Sequence, residues 1–446
     1  MDRQAFTYSL LITAILFLSG CADEEAEFSF EEAGQEVVRL LQAEEFETIY
    51  ESWFTEEFQQ SLSVEELTEK WIEKTEDGEF LELRPMKAES RTENLDVVEI
   101  TLAYTTIEFD VRMIFNEEQL LEGLNFSDGV ANLQMPDSIV EEQIVVGEGT
   151  EYELDGLLTL PKDNDGNLPA VILVHGSGPG DRDQAAYAYK PFRDIAWKLA
   201  ENGIAVIRYD KRTFVYGNDS AKDPSKFTVY EEVVEDAIRA TELAKSDPRI
   251  DEDRVFLAGL SLGGMLAPRI ETQGGDYAGL IILAGTPRPL WEVIYDQLLA
   301  SVDIVGMEGE EKEEFLQEVE AEYEKAENLQ NLTDEEAQGM VVFGLGGYYL
   351  KEMDEYDVPT TVTQIDKPML ILQGEDDFQV YADKDFVLWQ ELLEDDEDVT
   401  FMLYPGLNHF FIAYEGPDKG TVKEYETPSL VDEQVIEDMS RWILEQ

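Results

Sequence analysis

The sequence predicts a mostly parallel α/β sheet flanked by helices and preceded by a small α+β domain. From about residue 139 to 446, apolar runs of strand length alternate with segments of helical periodicity, as a parallel sheet requires. From about residue 29 to 125, helical patterns come first, and strand-like alternation follows after Asp77-Gly78. The length of 446 residues is enough for one large domain and a smaller one.

The charge balance excludes some classes of partner. The chain has 32 Lys and Arg against 100 Asp and Glu, which gives a formal net charge of −68. Such a surface repels phosphate backbones, so no nucleic-acid partner is expected. The composition suits a salt-rich exterior, with simple solubility as the alternative. The single cysteine excludes an intrachain disulfide and a cysteine-based zinc site.

The N-terminus has the pattern of an export signal. Residues 1–20 contain one apolar run whose length fits a signal-peptide core and is short for a membrane span. The run ends in Leu18-Ser19-Gly20-Cys21, which resembles the bacterial lipobox, where Cys21 would be lipidated and become the mature N-terminus. A short uncleaved anchor with an incidental cysteine is the alternative. With residues 21–28 as an acidic tether, the protein is expected to be exported and lipid-anchored on the outer face of the cell membrane.

Residues 29–125 are expected to form the small α+β domain, and residues 126–138 the linker. Apolar residues fall at helical spacing over residues 37–46 and 64–75. Strand-like patterns cover residues 80–83, 97–104 and 107–115. The segment contains no histidine, cysteine or glycine-rich loop, so no chemistry is assigned to it.

Residues 139–446 are expected to form the large domain. The predicted strands cover residues 142–146, 152–160, 170–174, 205–209, 255–258, 280–283, 369–372 and 400–403. The predicted helices cover residues 189–202, 229–246, 262–273, 383–393 and 430–444. About eighty residues separate the sixth strand from the seventh, and a helical stripe runs through them among many glutamates. We therefore expect a helical cap insert at about residues 287–365.

The segment Gly259-Leu260-Ser261-Leu262-Gly263 follows a predicted strand and opens a predicted helix. This is the G-x-S-x-G pattern in a strand–turn–helix setting, which exposes the serine hydroxyl above the carboxyl end of a sheet. Glycines are needed because the turn is tight. Ser261 is therefore the candidate nucleophile, and a serine cap of an ordinary turn is the alternative.

A serine hydroxyl needs a base to take its proton, and the chain has only His175 and His409. His409 lies on the loop after the last predicted strand and is the expected base, whereas His175 ends a strand before a glycine turn and is expected to shape that loop. Three adjacent acids follow the seventh strand, and Asp377 is favoured to orient the imidazole because it lies three residues after Gly374. Asp376 remains the alternative.

The loop that begins at His175 is expected to supply an oxyanion-hole amide. The backbone N–H of Ser177 is the expected donor, and the second is the N–H of Leu262, just after the nucleophile. The charged segments 181–183 and 209–212 are interpreted as local ion-pair clusters, with a position in the pocket as the alternative.

These motifs resemble those of the EstD-type carboxylesterases among the bacterial α/β-hydrolases, and they are similar to the serine aminopeptidase-like and dienelactone-hydrolase-like groups. The matching segments are residues 175–183, 208–213, 259–264, 374–380 and 406–409. Dienelactone hydrolases use a cysteine where this chain has Ser261, so that activity is not implied. The N-terminal domain resembles a small uncharacterised domain found ahead of hydrolases in some Gram-positive lipoproteins.

The resemblance implies an α/β-hydrolase fold with a cap insert. It also implies hydrolysis of a small-molecule carboxylic ester with a short to medium acyl chain. This chemistry requires no metal and no organic cofactor. A serine peptidase or aminopeptidase on the same fold and a non-catalytic envelope-binding lipoprotein remain the alternatives.

The charge excess predicts that salt stabilises the protein, with an unfolding midpoint that rises between about 0.1 and 2 M sodium chloride. Repulsion among exposed carboxylates is largely screened once the Debye length falls to ~3 Å. Surface ion pairs weaken with salt, but each contributes only ~0–1 kcal/mol, and 32 cations cannot pair 100 acids. Thermal unfolding at neutral pH measures the effect, with sulfate compared separately because it also strengthens apolar burial. A flat or falling midpoint would show that the acids are already compensated.

Overall fold

The computed structural model describes residues 30–76, 78–84, 87–92, 95–118, 120–127, 129–164 and 166–446. The predicted signal peptide, Cys21 and the tether at residues 21–28 lie outside the described residues. Among the residues that are described, no helix combines the length and the apolar character that crossing a bilayer demands.

The chain divides into two compact units. The described residues up to 68 form one unit together with those in the ranges 85–100 and 112–125. The other unit takes the ranges 69–84, 101–111 and 126–446. The larger unit contains every candidate site residue that the structure describes.

The N-terminal part combines helices and an antiparallel sheet, as the sequence predicts. Its helices are α1 (Phe30–Gln42), α2 (Phe46–Trp53), α3 (Phe58–Ser61) and α4 (Val64–Thr75). Its strands are β1 (Phe80–Leu83), β2 (Lys87–Thr92), β3 (Leu95–Tyr104), β4 (Ile107–Asn116), β5 (Leu121–Phe126) and β6 (Val130–Ala131). The sheet order is β1-β3-β4-β5, with β2 paired to β3 and β6 paired to β4. Part of the predicted linker therefore belongs to a strand, since Val130 and Ala131 pair with the first two residues of β4.

The C-terminal part alternates strands and helices along the chain, and its first half runs from residue 139 to the end of β12. Its strands are β7 (Ile139–Val146), β8 (Leu154–Pro161), β9 (Leu168–Val174), β10 (Ala205–Tyr209), β11 (Ile250–Leu260) and β12 (Gly279–Leu283). Its helices are α5 (Pro191–Glu201), α6 (Arg212–Tyr216), α7 (Glu235–Ser246) and α8 (Leu262–Ile270). Single π-helical turns at Tyr230–Val234 and Glu271–Gly275 extend α7 and α8.

The second half begins with the predicted cap, which is confirmed as a mainly helical insert between β12 and β15. The cap contains α9 (Leu290–Val305), α10 (Gly309–Glu327), α11 (Asp334–Gln338), the short strands β13 (Val341–Val342) and β14 (Leu345–Gly346), α12 (Gly347–Glu355) and α13 (Val358–Val362). A small apolar cluster holds it together and is formed by Trp291, Ala326, Leu329, Val342 and Leu350. After the cap come β15 (Met369–Gly374), α14 (Val387–Leu392), β16 (Val399–Tyr404) and α15 (Glu433–Glu445).

The large sheet has the order β16-β15-β12-β11-β9-β10-β8-β7. The strands from β16 to β10 run parallel, whereas β8 is antiparallel to both β10 and β7. Helices α5 and α15 cover one face, and α7, α8 and α14 cover the other. The strands that are buried on both faces are the continuous apolar runs that the sequence predicted, because neither face meets water.

Candidate active site

Four loops at the carboxyl edge of the large sheet carry the residues singled out in the sequence. They follow β9, β11, β15 and β16. Because these strands are parallel, their carboxyl ends meet at the same edge of the sheet. Ser177, Ser261 and His409 line one cavity at this edge, and Asp377 lies behind His409, in contact with its imidazole.

Close backbone approach fixes the position of Ser261 between β11 and α8. A Cβ added at Gly259 would lie 2.1 Å from the carbonyl oxygen of Gly263, and a Cβ at Gly263 would lie 2.4 Å from that of Val174. Neither contact is sterically possible, so only glycine allows α8 to pack this closely on the central strands.

The backbone of Ser261 itself is strained. Its φ of 55° and ψ of −114° lie outside the regions that residues with a side chain prefer. Its N–H donates to Leu283 O at 2.8 Å, and its carbonyl accepts the N–H of Met265 at 2.9 Å. A strained serine that is held on both sides, between a strand and a helix, has the geometry of a nucleophile elbow.

The structure brings Asp377 and His409 into direct contact. His409 Nδ1 lies 2.7 Å from Asp377 Oδ2. Because a carboxylate only accepts hydrogen bonds, this contact places the ring hydrogen on Nδ1 and leaves Nε2 as an acceptor for a hydroxyl. Both residues are buried, with exposed fractions of 3% for His409 and 4% for Asp377. The arrangement suits an acid that orients a base.

The carboxylate of Asp377 is itself held in place. Its Oδ1 accepts the N–H groups of Gln379 and Val380 at 2.8 and 3.0 Å. Its Oδ2 also accepts Gln373 Nε2 at 2.8 Å. Sequence reasoning missed Gln373, although a lone polar residue at the end of the apolar strand β15 is a signal that could have revealed it.

The neighbouring acid Asp376 has a different partner. Its Oδ2 lies 2.8 Å from Lys419 Nζ, at the protein surface, and Glu375 is exposed. Of the three adjacent acids, Asp377 is therefore the one that contacts His409.

The two expected oxyanion donors lie beside Ser261. A Cβ added at Gly176 would lie 3.3 Å from the Ser261 Cβ, so the loop after β9 passes directly against the serine. Ser177 follows on that loop and lines the cavity. Leu262 is the first residue of α8, where the helix supplies no carbonyl for its N–H.

His175 shapes this loop, as the sequence interpretation proposed. Its Nε2 lies 2.9 Å from the carbonyl oxygen of Asp181. Its ring packs against Phe192 and Tyr209, each at 5.4 Å between ring centroids. Burial, and secondarily the cation of Lys211, lowers the pKa of His175 to about 3. The imidazole is therefore neutral at physiological pH and acts through packing and a single hydrogen bond.

The arginines of the two charged segments form ion pairs. Arg182 Nη2 lies 2.6 Å from Asp210 Oδ2, and Arg212 Nη2 lies 2.6 Å from Asp236 Oδ1, which is outside both segments. The ion-pair interpretation therefore fits these arginines. Lys211 in the second segment instead contacts the loop after β9, through the carbonyl oxygens of Gly176 and Gly178.

The cavity has a volume of about 590 Å³, within the usual range for small-molecule sites. Side chains of the cap supply much of its apolar wall, namely Leu290, Val293, Ile294, Phe343 and Leu345. The acidic residue in its lining is Glu232. That carboxylate pairs with Lys211 Nζ at 2.5 Å and accepts the Tyr349 hydroxyl at 2.8 Å.

Known proteins match both parts of the chain. Residues 171–423 match the alpha/beta hydrolase family, and residues 34–124 match a family described as a protein of unknown function (DUF3887). Esterase EstD of Thermotoga maritima is 33% identical over 441 residues, which cover 98% of each chain.

Solved structures also resemble the chain. Est1E from Butyrivibrio proteoclasticus is 18% identical, with a TM-score of 0.44 over 68% of this chain and 98% of its own. A puromycin-hydrolyzing peptidase of Mycobacterium tuberculosis is 16% identical, with a TM-score of 0.46 over 78% of this chain and 45% of its own.

The strain at Ser261 predicts that Ser261→Gly is more stable than the native protein. A side chain at this backbone conformation costs ~1–3 kcal/mol, and the greater freedom of glycine in the unfolded chain offsets ~0.5–1 kcal/mol of that gain. We expect the free energy of unfolding to rise by ~1 kcal/mol in urea titrations. Ser261→Ala is the matched control because it keeps the Cβ. Equal stability of the two variants would show that the turn is unstrained.

Proposed function

The chain belongs to the alpha/beta hydrolase family, and we propose that it hydrolyses carboxylic esters with short to medium acyl chains through a Ser261–His409–Asp377 triad. The observation that carries the proposal is the 2.7 Å contact between His409 Nδ1 and Asp377 Oδ2, beside a cavity that Ser261 and His409 both line. The named esterase that is similar over nearly the whole chain supports the reaction class.

The reaction proceeds as acyl transfer to water. Ser261 Oγ attacks the ester carbonyl while His409 Nε2 accepts its proton, and Asp377 orients the ring and stabilises the imidazolium. The N–H groups of Ser177 and Leu262 bind the oxyanion. The alcohol leaves with the proton from His409, and water then repeats the sequence on the acyl-enzyme, which releases the acid and restores Ser261.

The charges of the cavity favour an ester over a substrate with a free amine. An aminopeptidase holds its substrate amine with an available carboxylate, and Glu232 is the acid in the cavity lining. Its two oxygens are already engaged by Lys211 and Tyr349. The apolar wall of the cap is suited to an acyl chain.

Ser261→Ala is expected to abolish hydrolysis of p-nitrophenyl esters, because loss of a triad member lowers kcat by ~10⁴–10⁶-fold. The native protein should react with a fluorophosphonate probe, and the variant should not. Aminoacyl anilides in the same panel test the peptidase alternative. A variant that keeps a tenth of the activity would remove Ser261 from the mechanism, and a native protein that neither turns over esters nor reacts with the probe would support the non-catalytic alternative.

Asp377→Asn is expected to be far more damaging than Asp376→Asn. An amide at the orienting position favours the wrong imidazole tautomer. The corresponding substitution in chymotrypsin-type serine proteases lowers kcat ~10⁴-fold. Asp376 contacts Lys419 at the surface, so its variant is the matched control and should stay within about threefold of native kcat. The reverse ranking would transfer the role to Asp376.

We also propose that the protein is a lipoprotein on the outer face of the cell membrane, anchored through Cys21. The support is the sequence Leu18-Ser19-Gly20-Cys21, in which the only cysteine of the chain stands at the lipobox position. A single acyl chain gives only marginal attachment, so stable anchoring requires diacylation of Cys21.

Cys21→Ser is expected to release the protein from the membrane fraction or to leave its precursor uncleaved. Metabolic labelling with a fatty-acid analogue and fractionation after expression in a bacterial host measure both effects. Ser19→Ala, which keeps the cysteine, is the control and should be processed as the native chain is. Unchanged processing and fractionation of Cys21→Ser would contradict the lipoprotein proposal.

A further inference from the structure

We propose that Lys211 is a positioning residue of the oxyanion hole, whose buried ammonium group fixes the Gly176–Ser177 peptide so that the Ser177 N–H faces the reacting carbonyl. The inference deepens the proposed ester hydrolysis and rests on it. It gives a role to a lysine that the sequence placed in a charged cluster, and that role goes beyond local charge pairing.

The ammonium group of Lys211 has three acceptors, which match its three N–H donors. Its Nζ lies 2.9 Å from the carbonyl oxygen of Gly176 and 2.9 Å from that of Gly178. The third acceptor is Glu232 Oε1, at 2.5 Å. Lys211 is only 2% exposed. A fully engaged cation without access to water has a single orientation, so it can hold two points of one loop.

The first of these hydrogen bonds sets the direction of the Ser177 N–H. The carbonyl of Gly176 and the N–H of Ser177 belong to the same peptide group, and that peptide is trans. In a planar trans peptide the C=O and N–H point in opposite directions. When Lys211 holds the carbonyl on one side of the loop, the Ser177 N–H must point to the other side. A rotated peptide would instead present a carbonyl oxygen to the developing negative charge.

Contacts around the loop identify Ser177 as the donor. The N–H of the preceding residue, Gly176, already donates to Gln184 Oε1 at 3.3 Å. Gly176 passes directly against the Cβ of Ser261, and Ser177 lines the cavity. The peptide that Lys211 orients is therefore the one beside the nucleophile.

Glu232 allows the lysine to remain charged in this position. Burial lowers the pKa of Lys211, and the Glu232 carboxylate opposes that shift. Glu232 lies on the π-helical turn Tyr230–Val234, a backbone irregularity that is frequent at functional sites. Its second oxygen accepts the hydroxyl of Tyr349 from cap helix α12. The contacts that hold the loop after β9 thus continue from Lys211 through Glu232 to Tyr349 in the wall of the cavity.

The test compares Lys211→Met/Glu232→Gln with Glu232→Gln alone. The double variant removes the lysine amino group without leaving an unpaired buried carboxylate. The single variant keeps the amino group, which has enough N–H donors for both carbonyl contacts whether it is protonated or neutral. Loss of one oxyanion donor lowers kcat by ~10²–10³-fold, so we expect a loss of about that size in the double variant, with KM within about threefold of native. We expect the single variant to lose at least tenfold less.

An alkylboronic acid separates positioning from general damage. Ser261 Oγ adds to the boron while its proton passes to His409, and the tetrahedral adduct places a boron-bound oxygen in the oxyanion hole. If Lys211 orients the Ser177 N–H, the inhibition constant of the boronic acid should rise in proportion to the loss of kcat. Lys351→Met is the control, since Lys351 is a buried lysine with two carboxylate partners, Asp334 and Glu355, in the cap. Its kcat should be native.

The outcomes are distinguishable from those of the proposed function. If the native protein hydrolyses esters and reacts with the fluorophosphonate at Ser261, but the double variant keeps kcat within about threefold or keeps native affinity for the boronic acid, Lys211 has no positioning role. If the native protein shows neither activity nor labelling, the proposed function fails instead. A crystal structure of the native protein with the boronic acid decides the matter even if the double variant does not fold. It should show the Ser177 nitrogen within hydrogen-bond distance of a boron-bound oxygen, and a rotated Gly176–Ser177 peptide would overturn the inference.

Discussion

The close backbone approach at the turn between β11 and α8 is the constraint on which the rest of the site depends. Gly263 lies so near the carbonyl of Val174, and Gly259 so near that of Gly263, that neither position can carry a side chain. Helix α8 therefore packs directly on the central strands, and Ser261 is raised above their carboxyl edge. In the proposed reaction, every other catalytic group has to reach the substrate atom that Ser261 attacks. In a parallel sheet, only loops at that edge can do so, which is why the loops after β9, β15 and β16 carry them.

The scarce cations of this acidic chain include several of its most buried side chains. Arg208, Lys211 and Arg212 are each no more than 2% exposed, and each contacts carboxylates. Such buried pairs add little net stability, but removal of one partner typically costs ~3–5 kcal/mol because the other charge is left unpaired. Cations paired inside the protein do not neutralise the acids outside it. The excess negative charge of the surface is therefore screened mainly by ions in solution, and added salt is expected to act on that charge. The buried cations remain paired with their own carboxylates.

How much the sequence could predict depends on whether a feature is local. The buried strands of the large sheet were predictable because each is a continuous apolar run, whereas β2 and β5 were missed because their residues lack that pattern. Ser261 was identified by the G-x-S-x-G motif. His409 was identified because the chain has only two histidines and this one follows the last predicted strand. Spacing alone left Asp376 as an alternative to Asp377, and only the fold shows that Lys419 holds one and His409 the other. The contact between Lys211 and the loop after β9 joins segments that are far apart in sequence, so no local pattern could reveal it.

Contacts connect the cap to the loop that carries Asp377. Gln297 of α9 donates to the carbonyl of Gln379 at 3.0 Å, and the N–H of Gln379 donates to Asp377 Oδ1 at 2.8 Å. Just before α9, Arg288 contacts both carboxylate oxygens of the fully buried Asp385 at 2.8 and 3.0 Å. Two sets of contacts therefore connect the α9 wall of the cavity to the segment that runs from Asp377 to Asp385. Under the proposed mechanism, the same contacts that shape the cavity wall also position the carboxylate that orients His409, before any ester binds.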